Sequence, residues 1–421
     1  MGGGLLQLVA YGAQDVYLTG NPQITFFKAV YRRHTNFAIE SIQQTFSGTP
    51  GFGQRVTSTI SRNGDLINRM YLCIDLSNAD TTHKFCRFFG LRYINYVEIE
   101  IGGQKIDKHY SHWMYIWNEL SLPRSKREGY YDMVGAQGGS IDSDSTVGTM
   151  KKQLFIPLEF WFCRNVGLAL PLIALQYHEV KININFESSM KCSGDTDTST
   201  DSLSTFLPTT TLWVDYIFLD TDERRRFAQL SHEYLIEQLQ FTGQEAVLET
   251  DIKAKLNFNH PCKELVWFVT QKDNANNNNW MNYSKTKMAN SAFDIDEFDK
   301  MATDCKSEGN NMISTAKLVL NGNDRFTVRN GSYFNMIQPF QHHENIPSNA
   351  GINVYSFALK PEDHQPSGTL NMSRIDTSIL NLTINKTKTE LSNNSYNLNV
   401  YAINYNVLRI MSGMGGIAYS N

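Results

Sequence analysis

Charge is scarce in this chain, and what there is nearly cancels. Charged residues make up only 19% of the 421 positions, with 38 Lys and Arg against 42 Asp and Glu. That composition excludes a coiled coil and a disordered polyelectrolyte, both of which need far more charge. A net charge of −4 also disfavours a chain-wide nucleic-acid binder, because phosphate affinity needs concentrated positive charge. Long apolar runs are missing too. The longest, 166–175, contains Pro171, and ten residues cannot cross a bilayer that takes about 20. The first residues, MGGGLLQLVA, carry no basic stretch ahead of an apolar one, so they do not read as a secretory signal. No CxxC occurs among Cys73, Cys86, Cys163, Cys192, Cys262 and Cys305, which read as free thiols. No Walker loop and no GxSxG is present, and Gly51-Phe52-Gly53 lacks the rest of a dinucleotide fingerprint.

What the chain has in quantity is aromatic surface and strict alternation. Six Trp, 20 Tyr and 24 Phe supply large sheet cores and interfaces. Met70, Leu72, Ile74 and Leu76 alternate with polar or smaller residues. So do Val97, Ile99 and Ile101, then Val180, Ile182, Ile184 and Phe186, and then Ile252, Ala254, Leu256 and Phe258. A period of two places one face in a core and the other toward water, as in antiparallel sheets. Asn63-Gly64, Gly102-Gly103 and Asn321-Gly322 flank such runs and tolerate the positive φ of tight hairpins. Strands do not alternate regularly with helices, which argues against a parallel α/β sheet. Three short helices are expected. One starts at Asn21-Pro22 with Ile24, Phe27 and Tyr31 along a face. Another carries Trp113, Ile116, Trp117 and Leu120, and a third covers 220–230.

The chain repeats itself weakly. Residues 97–106 resemble 317–326, residues 155–186 resemble 354–384, and residues 212–219 resemble 398–410, in the same order. The simplest account is two β units in tandem, joined near 221–239. Long polar connections, 135–149, 188–211 and 273–310, read as surface or binding loops.

Reactive constellations are weak. His109 and His112, with Glu119 near, are two ligands without a third and make a poor metal site, and His342-His343-Glu344 sits in a polar loop. His178-Glu179 precedes a strand and reads as edge chemistry. Arg32-Arg33-His34, Arg124–Arg127 and Arg224-Arg225-Arg226 read as solvated faces or inter-subunit ion pairs. Sequons at Asn282, Asn330, Asn371, Asn381, Asn385 and Asn393 are candidate glycosylation positions. No catalytic residue, metal site or cofactor is expected.

Seven blocks carry a resemblance. They are YGAQDVYLTGNPQITFFKAVYRR (11–33), SRNGDLI (61–67), EIGGQKIDKHY (100–110), GLALPLIALQYHEVK (167–181), WVDYIFLDTDERRRFAQLSHEYLIEQLQFTG (213–243), GSYFN (331–335) and NYNVLRIMSGMGG (404–416). Together they resemble the double jelly-roll major capsid proteins of large icosahedral double-stranded DNA viruses, in particular those of the chlorella viruses (phycodnaviruses). The resemblance implies an all-β fold of two tandem eight-stranded antiparallel jelly rolls with a few short helices. It implies an N-terminal arm (1–25) at the inner base, a first roll (26–220), a linker (221–239) and a second roll (240–421). It further implies a homotrimeric pseudo-hexagonal capsomer in the virion, assembled in the cytoplasm of an infected cell. Expected partners are copies of itself, neighbouring capsomers, minor capsid proteins and a nearby inner membrane, with no direct nucleic-acid binding. Two other readings fit a β sandwich: a carbohydrate-binding jelly roll using Trp280 and Tyr283 as exposed platforms, and a metal-dependent barrel enzyme.

Overall fold

The computed structural model describes residues 3–139, 150–194, 201–272, 279–285, 310–393 and 395–419. Most of the long polar connections, and Cys305, lie outside the described residues. The chain divides into an arm, Met1–Asn36, and a body, Phe37–Asn421.

The first half of the body forms β1 (Phe37–Gln44), β2 (Arg55–Thr59), β3 (Leu66–Asp75), β4 (Ile94–Ile101), β5 (Gln104–Tyr110), β6 (Gln153–Leu158), β7 (Leu170–Pro171), β8 (Val180–Phe186) and β9 (Thr209–Leu219). They build two antiparallel sheets, ordered β1-β9-β3-β6 (with β7 on β3) and β2-β8-β4-β5. The second half forms β10 (His232–Phe241), β11 (Glu245–Val247), β12 (Asp251–Lys255), β13 (Pro261–Gln271), β14 (Ile313–Leu320), β15 (Asn323–Asp324), β16 (Arg329–Asn330), β17 (Asn353–Ser356), β18 (Leu370–Asn371), β19 (Ser378–Ile384), β20 (Tyr396–Met411) and β21 (Met414–Ile417). Its sheets run β10-β20-β13-β17 (with β18 on β13) and β12-β19-β14-β15 (with β16 on β14). Strand for strand the two orders coincide: β1 corresponds to β10, β9 to β20, β3 to β13, β6 to β17, β2 to β12, β8 to β19 and β4 to β14. Each half is a jelly roll, two facing sheets joined by long crossing connections.

Each of the three sequence repeats falls on equivalent elements of the two rolls: the β4–β5 and β14–β15 hairpins, the β6-to-β8 and β17-to-β19 segments, and strands β9 and β20. Gly102-Gly103 and Asn321-Gly322 close their hairpins with φ of 58° and 83°, and 48° and 81°, the doubly positive pair of a type I′ turn. Ser412-Gly413, at 52° and 80°, closes the β20–β21 hairpin in the same way.

Two expected helices form. One is Ser111–Ser121, carrying the Trp113/Trp117 face. The other is Thr221–Gln229, whose N-cap Asp220 accepts a bond from the Thr221 N–H and whose first turn holds Asp222 and Glu223. The helix expected from Pro22 does not form. Asn21 takes a left-handed φ of 59°, and Ile24, Phe27 and Tyr31 are 71%, 97% and 88% exposed. A short helix with no surface to bury its apolar face is marginal in water. The arm instead has helices at Gly3–Val9 and Val16–Thr19.

Candidate assembly surfaces

Alternation along β13 sorts its side chains onto two faces. Leu265, Trp267 and Val269 point into the second roll and pack with Leu398, Val400 and Ala402. Val266 and Phe268 point the other way and join the core of the first roll, together with Val354, Tyr401 and Ile403. The β10-β20-β13-β17 sheet is therefore covered on both faces: the core of the first roll extends onto its outer face, and the second roll keeps a separate core on its inner face.

The cover comes from the connection after β5. Tyr110 ends that strand in extended geometry (φ −111°, ψ 158°), and the helix starts at once at Ser111. It stops at Leu122, and Pro123 then precedes a second helix, Arg124–Val134, which ends on Gly135 at φ 71°. Trp113 meets Tyr401 edge to face at 5.7 Å, and His112 lies 5.6 Å from Phe268. From the second roll, Trp280 and Tyr283 reach back. Trp280 Nε1 donates to the Arg87 carbonyl at 2.7 Å, and Tyr283 Oη lies 2.8 Å from His112 Nδ1. Burial, then the charges of Arg92 and Lys191, push His112 down to about 3, so its imidazole is neutral.

A second seam runs between β5 and β10. Asp107 Oδ1 accepts from the Leu239 N–H at 3.0 Å, and Gln238 Nε2 donates to the Ile106 carbonyl. Arg164 of the first roll reaches Glu237 of β10 at 2.9 Å, and Glu237 also holds the buried Lys263 ammonium at 2.7 Å. Arg164 and Lys263 both lie over the Trp117 ring. Next to Lys263, Glu264 lies 3.0 Å from His343 Nε2, whose Nδ1 is 2.8 Å from Glu362. Burial opposes charging of this pair. Glu264 and Glu362 nonetheless raise His343 to about 9, while His343 and Lys263 hold Glu264 below the ordinary carboxylate range.

These placements give each residue weighed as a metal ligand another partner. His109 pairs with Asp107 at 2.9 Å, His112 with Tyr283, and Glu119 with Arg127, Tyr131 and Ser348. The three side chains do not converge on one point, and among the described residues no cluster could hold a metal ion. His178 Nδ1 lies 2.8 Å from the Gly415 carbonyl, tying the C-terminal hairpin to the first roll. The expectation that Trp280 and Tyr283 are exposed platforms is corrected: they are 2% and 0% exposed. Indole and phenol groups between the rolls bury more apolar area than a loop tip offers. The five described cysteines form no disulfide.

The sequons differ sharply in setting. Asn282 is 3% exposed, and its Oδ1 accepts from the Ser284 N–H and hydroxyl. Asn381 is half-buried in β19, and Asn385 is held between Lys285 and the Asn311 carbonyl. Asn330 and Asn371 are exposed at turns, where their Oδ1 atoms accept from Ser332 and Ser373 N–H. Asn393 ends the helix Lys388–Asn393, and its side chain is outside the described residues. Of the basic clusters, Arg127 pairs with Glu119 and Arg224 with Asp65, whereas Arg32, Arg33 and His34 are exposed in the arm.

Among the described residues, the apolar surfaces left open include two with large aromatic side chains. One is the arm, where Leu8, Val9, Tyr17, Leu18, Phe26 and Phe27 are each more than three-quarters exposed. The other lies on the outer face of the first roll, where Tyr71 and Trp213 stack at 6.4 Å and 3°, with Phe155 edge-on at 6.1 Å. Monomeric proteins rarely leave such areas bare.

The family described as "Major capsid protein N-terminus" matches residues 25–220, and "Large eukaryotic DNA virus major capsid protein" matches 223–416. The chain belongs to the major capsid protein family of large eukaryotic DNA viruses. Major capsid proteins of Pyramimonas orientalis virus and Paramecium bursaria Chlorella virus 1 are 51% and 47% identical to it, each over the full length of both chains. A solved chain of the Paramecium bursaria Chlorella virus 1 capsid superposes with a TM-score of 0.78 at 40% identity, covering 94% of this chain and all of that one. The capsid protein is thus a structural component with the tandem jelly-roll fold of its relatives. Helix signals and strand alternation were readable beforehand. The ionic seam was not, because Arg164, Glu237, Lys263 and His343 lie far apart in sequence with no spacing to mark them.

Proposed function

We propose that three copies of this chain close into a pseudo-hexagonal capsomer, and that such capsomers tile the icosahedral shell of a large double-stranded DNA virus. The observation that carries this reading is the doubled strand order. One polypeptide presents two near-equivalent rolls, so a threefold ring offers six similar sides to its neighbours. In this reading the first roll spans 26–220 and the second takes in β10 from His232, inside the expected 221–239 linker, and runs to 421. The arm, 1–25, lies on the inner side, where its exposed apolar side chains meet neighbouring capsomers, minor capsid proteins or the vicinity of an inner membrane. The chain acts by binding copies of itself, not by catalysis.

Light scattering on the purified protein after size-exclusion chromatography tests the stoichiometry. The expected mass is about 144 kDa, three times 48.0 kDa, at all concentrations above the dissociation range. A mass of one or two chains throughout would overturn the reading.

A further inference from the structure

Inside one chain, the first roll covers the second by a defined set of parts. The connection after β5 lays His112 and Trp113 over the outer face of the β10-β20-β13-β17 sheet, burying Val266, Phe268 and Tyr401 completely or nearly so. Among the described residues, the outer face of the corresponding first-roll sheet is covered at one end, where Phe227 and Ala169 pack against Leu66, Ile217 and Leu219, and stays open around Tyr71 and Trp213. Registers match the two faces position by position: Val266 pairs with Tyr401 and Val354 in the second roll, and Tyr71 with Trp213 and Pro157 in the first. Yet Tyr71, Trp213 and Phe155 are only half-buried, and they line a groove of about 320 Å³ with Gln43, Asp75 and Gln153 at its rim. The edge strand repeats the contrast. Ile236 of β10 is fully buried, while Phe37 and Ile39 of β1 are 54% and 53% exposed.

The second roll in turn carries a connection whose inner side packs on its own roll, through Phe334 on Trp267 and buried Gln338 and Pro339, and whose outer apolar side chains stay open. After β16, the segment Tyr333–Ile337 and the helix Gln338–His342 occupy the place that the Ser111–Ser121 helix holds in the first roll. Phe334 is buried in its own roll, but Ile337 and Phe340, one helical turn apart, are 46% and 76% exposed. Val328, just before β16, is 59% exposed. One surface of the chain thus has an aromatic groove lacking an insert, and another has an apolar insert lacking a groove.

We propose that Phe340 of one copy seats in the Tyr71–Phe155–Trp213 groove of a second copy, with Ile337 and Val328 beside it facing Phe37 and Ile39. This inference rests on the trimer reading above and names the contact that closes it. The interface between copies then repeats the one between the two rolls of a single chain: the connection after the fifth strand of one roll covers the outer sheet of the next. Such a head-to-tail contact uses different surfaces on its two sides and closes only when the rotation suits a ring. Aromatic residues packed into a groove at the centre of an interface carry a disproportionate share of its energy.

The test compares wild type, Phe340→Asp and the control Leu248→Asp, another exposed apolar position, by light scattering and circular dichroism. The expected result is three-chain mass for wild type and L248D, and one-chain mass for F340D, with unchanged spectra. In addition, F340C and T211C chains, both also carrying Cys73→Ser because Cys73 is a free thiol lining the same groove, are co-expressed and treated with a short bismaleimide. A two-chain band is expected only when both variants are present. If wild type is a trimer and F340D keeps both its mass and its dissociation range, the seating of Phe340 is wrong and the trimer stands. If F340D dissociates but no cross-link forms, Phe340 acts elsewhere and the groove assignment falls. A wild type that stays single at every concentration overturns both readings together.

Discussion

Lys263, Glu264 and His343 are ionic groups shut away from water, and each is held by a counter-charge across an element boundary. Lys263 lies 2.7 Å from Glu237, and His343 bridges Glu264 and Glu362. Burying an ion costs several kcal/mol unless it is well paired, so breaking one pair costs more than the pair contributes. The seam therefore carries a pH dependence with a definite sign. The pKa of His343 rises from an ordinary 6.5 to about 9 on folding. Its contribution is complete below about pH 6.5 and disappears as the pH climbs through 9. Urea denaturation of the wild type should lose on the order of 3 kcal/mol from this group between pH 6.5 and 9.5. His343→Gln should be less stable at pH 6.5 and show a flatter slope across that window. An equal slope in both proteins would contradict the assignment. Little of this was legible in the sequence. His342-His343-Glu344 reads as a polar stretch because the partner of His343, Glu264, sits on a distant strand whose alternation marks it only as buried or exposed.

At the scale of elements, several strands followed their sequence patterns, but the run 252–258 is strand only to Lys255, and Asn63-Gly64 joins strands of different sheets without a positive φ. Val180–Phe186 matches its alternating run end to end, and the Gly102-Gly103 and Asn321-Gly322 turns close the hairpins their chemistry favours. The Trp113/Trp117 helix was equally visible from its spacing. What it packs against was not, since a helical stripe says that a face is buried but not by what. The same gap explains Trp280 and Tyr283. A polar, Asn-rich surrounding reads as a surface loop, but these two rings enter the seam between the rolls. Trp280→Ala should lower stability by about 3–5 kcal/mol, because it removes a buried indole and its bond to Arg87. Trp280→Phe should recover most of the loss, leaving a deficit of about 1 kcal/mol for the missing hydrogen bond. Denaturation midpoints check both, and a Trp280→Ala protein within about 0.5 kcal/mol of wild type would show that the loop does not clasp the first roll. The failed helix at Asn21-Pro22 belongs to this scale as well. Its periodicity was real, but the arm has no surface of its own to receive Ile24, Phe27 and Tyr31.

At the scale of the whole molecule, a repeated strand order turns one chain into two adjacent building blocks, the core of the first reaching onto the outer face of the second. The weak sequence repeats carried that information because strand alternation and hairpin turns survive where side-chain identity drifts. The contacts proposed between copies have only an indirect trace in the sequence, in aromatic richness and low charge, since exposure cannot be read from a pattern. The account stands on the claim that three such chains form one six-sided ring. Electron-microscopic imaging of the purified assembly measures this directly. Class averages should show a hexagonal outline with six similar densities and exact threefold symmetry. Averages with two lobes, or rings of any other number of chains, would contradict it.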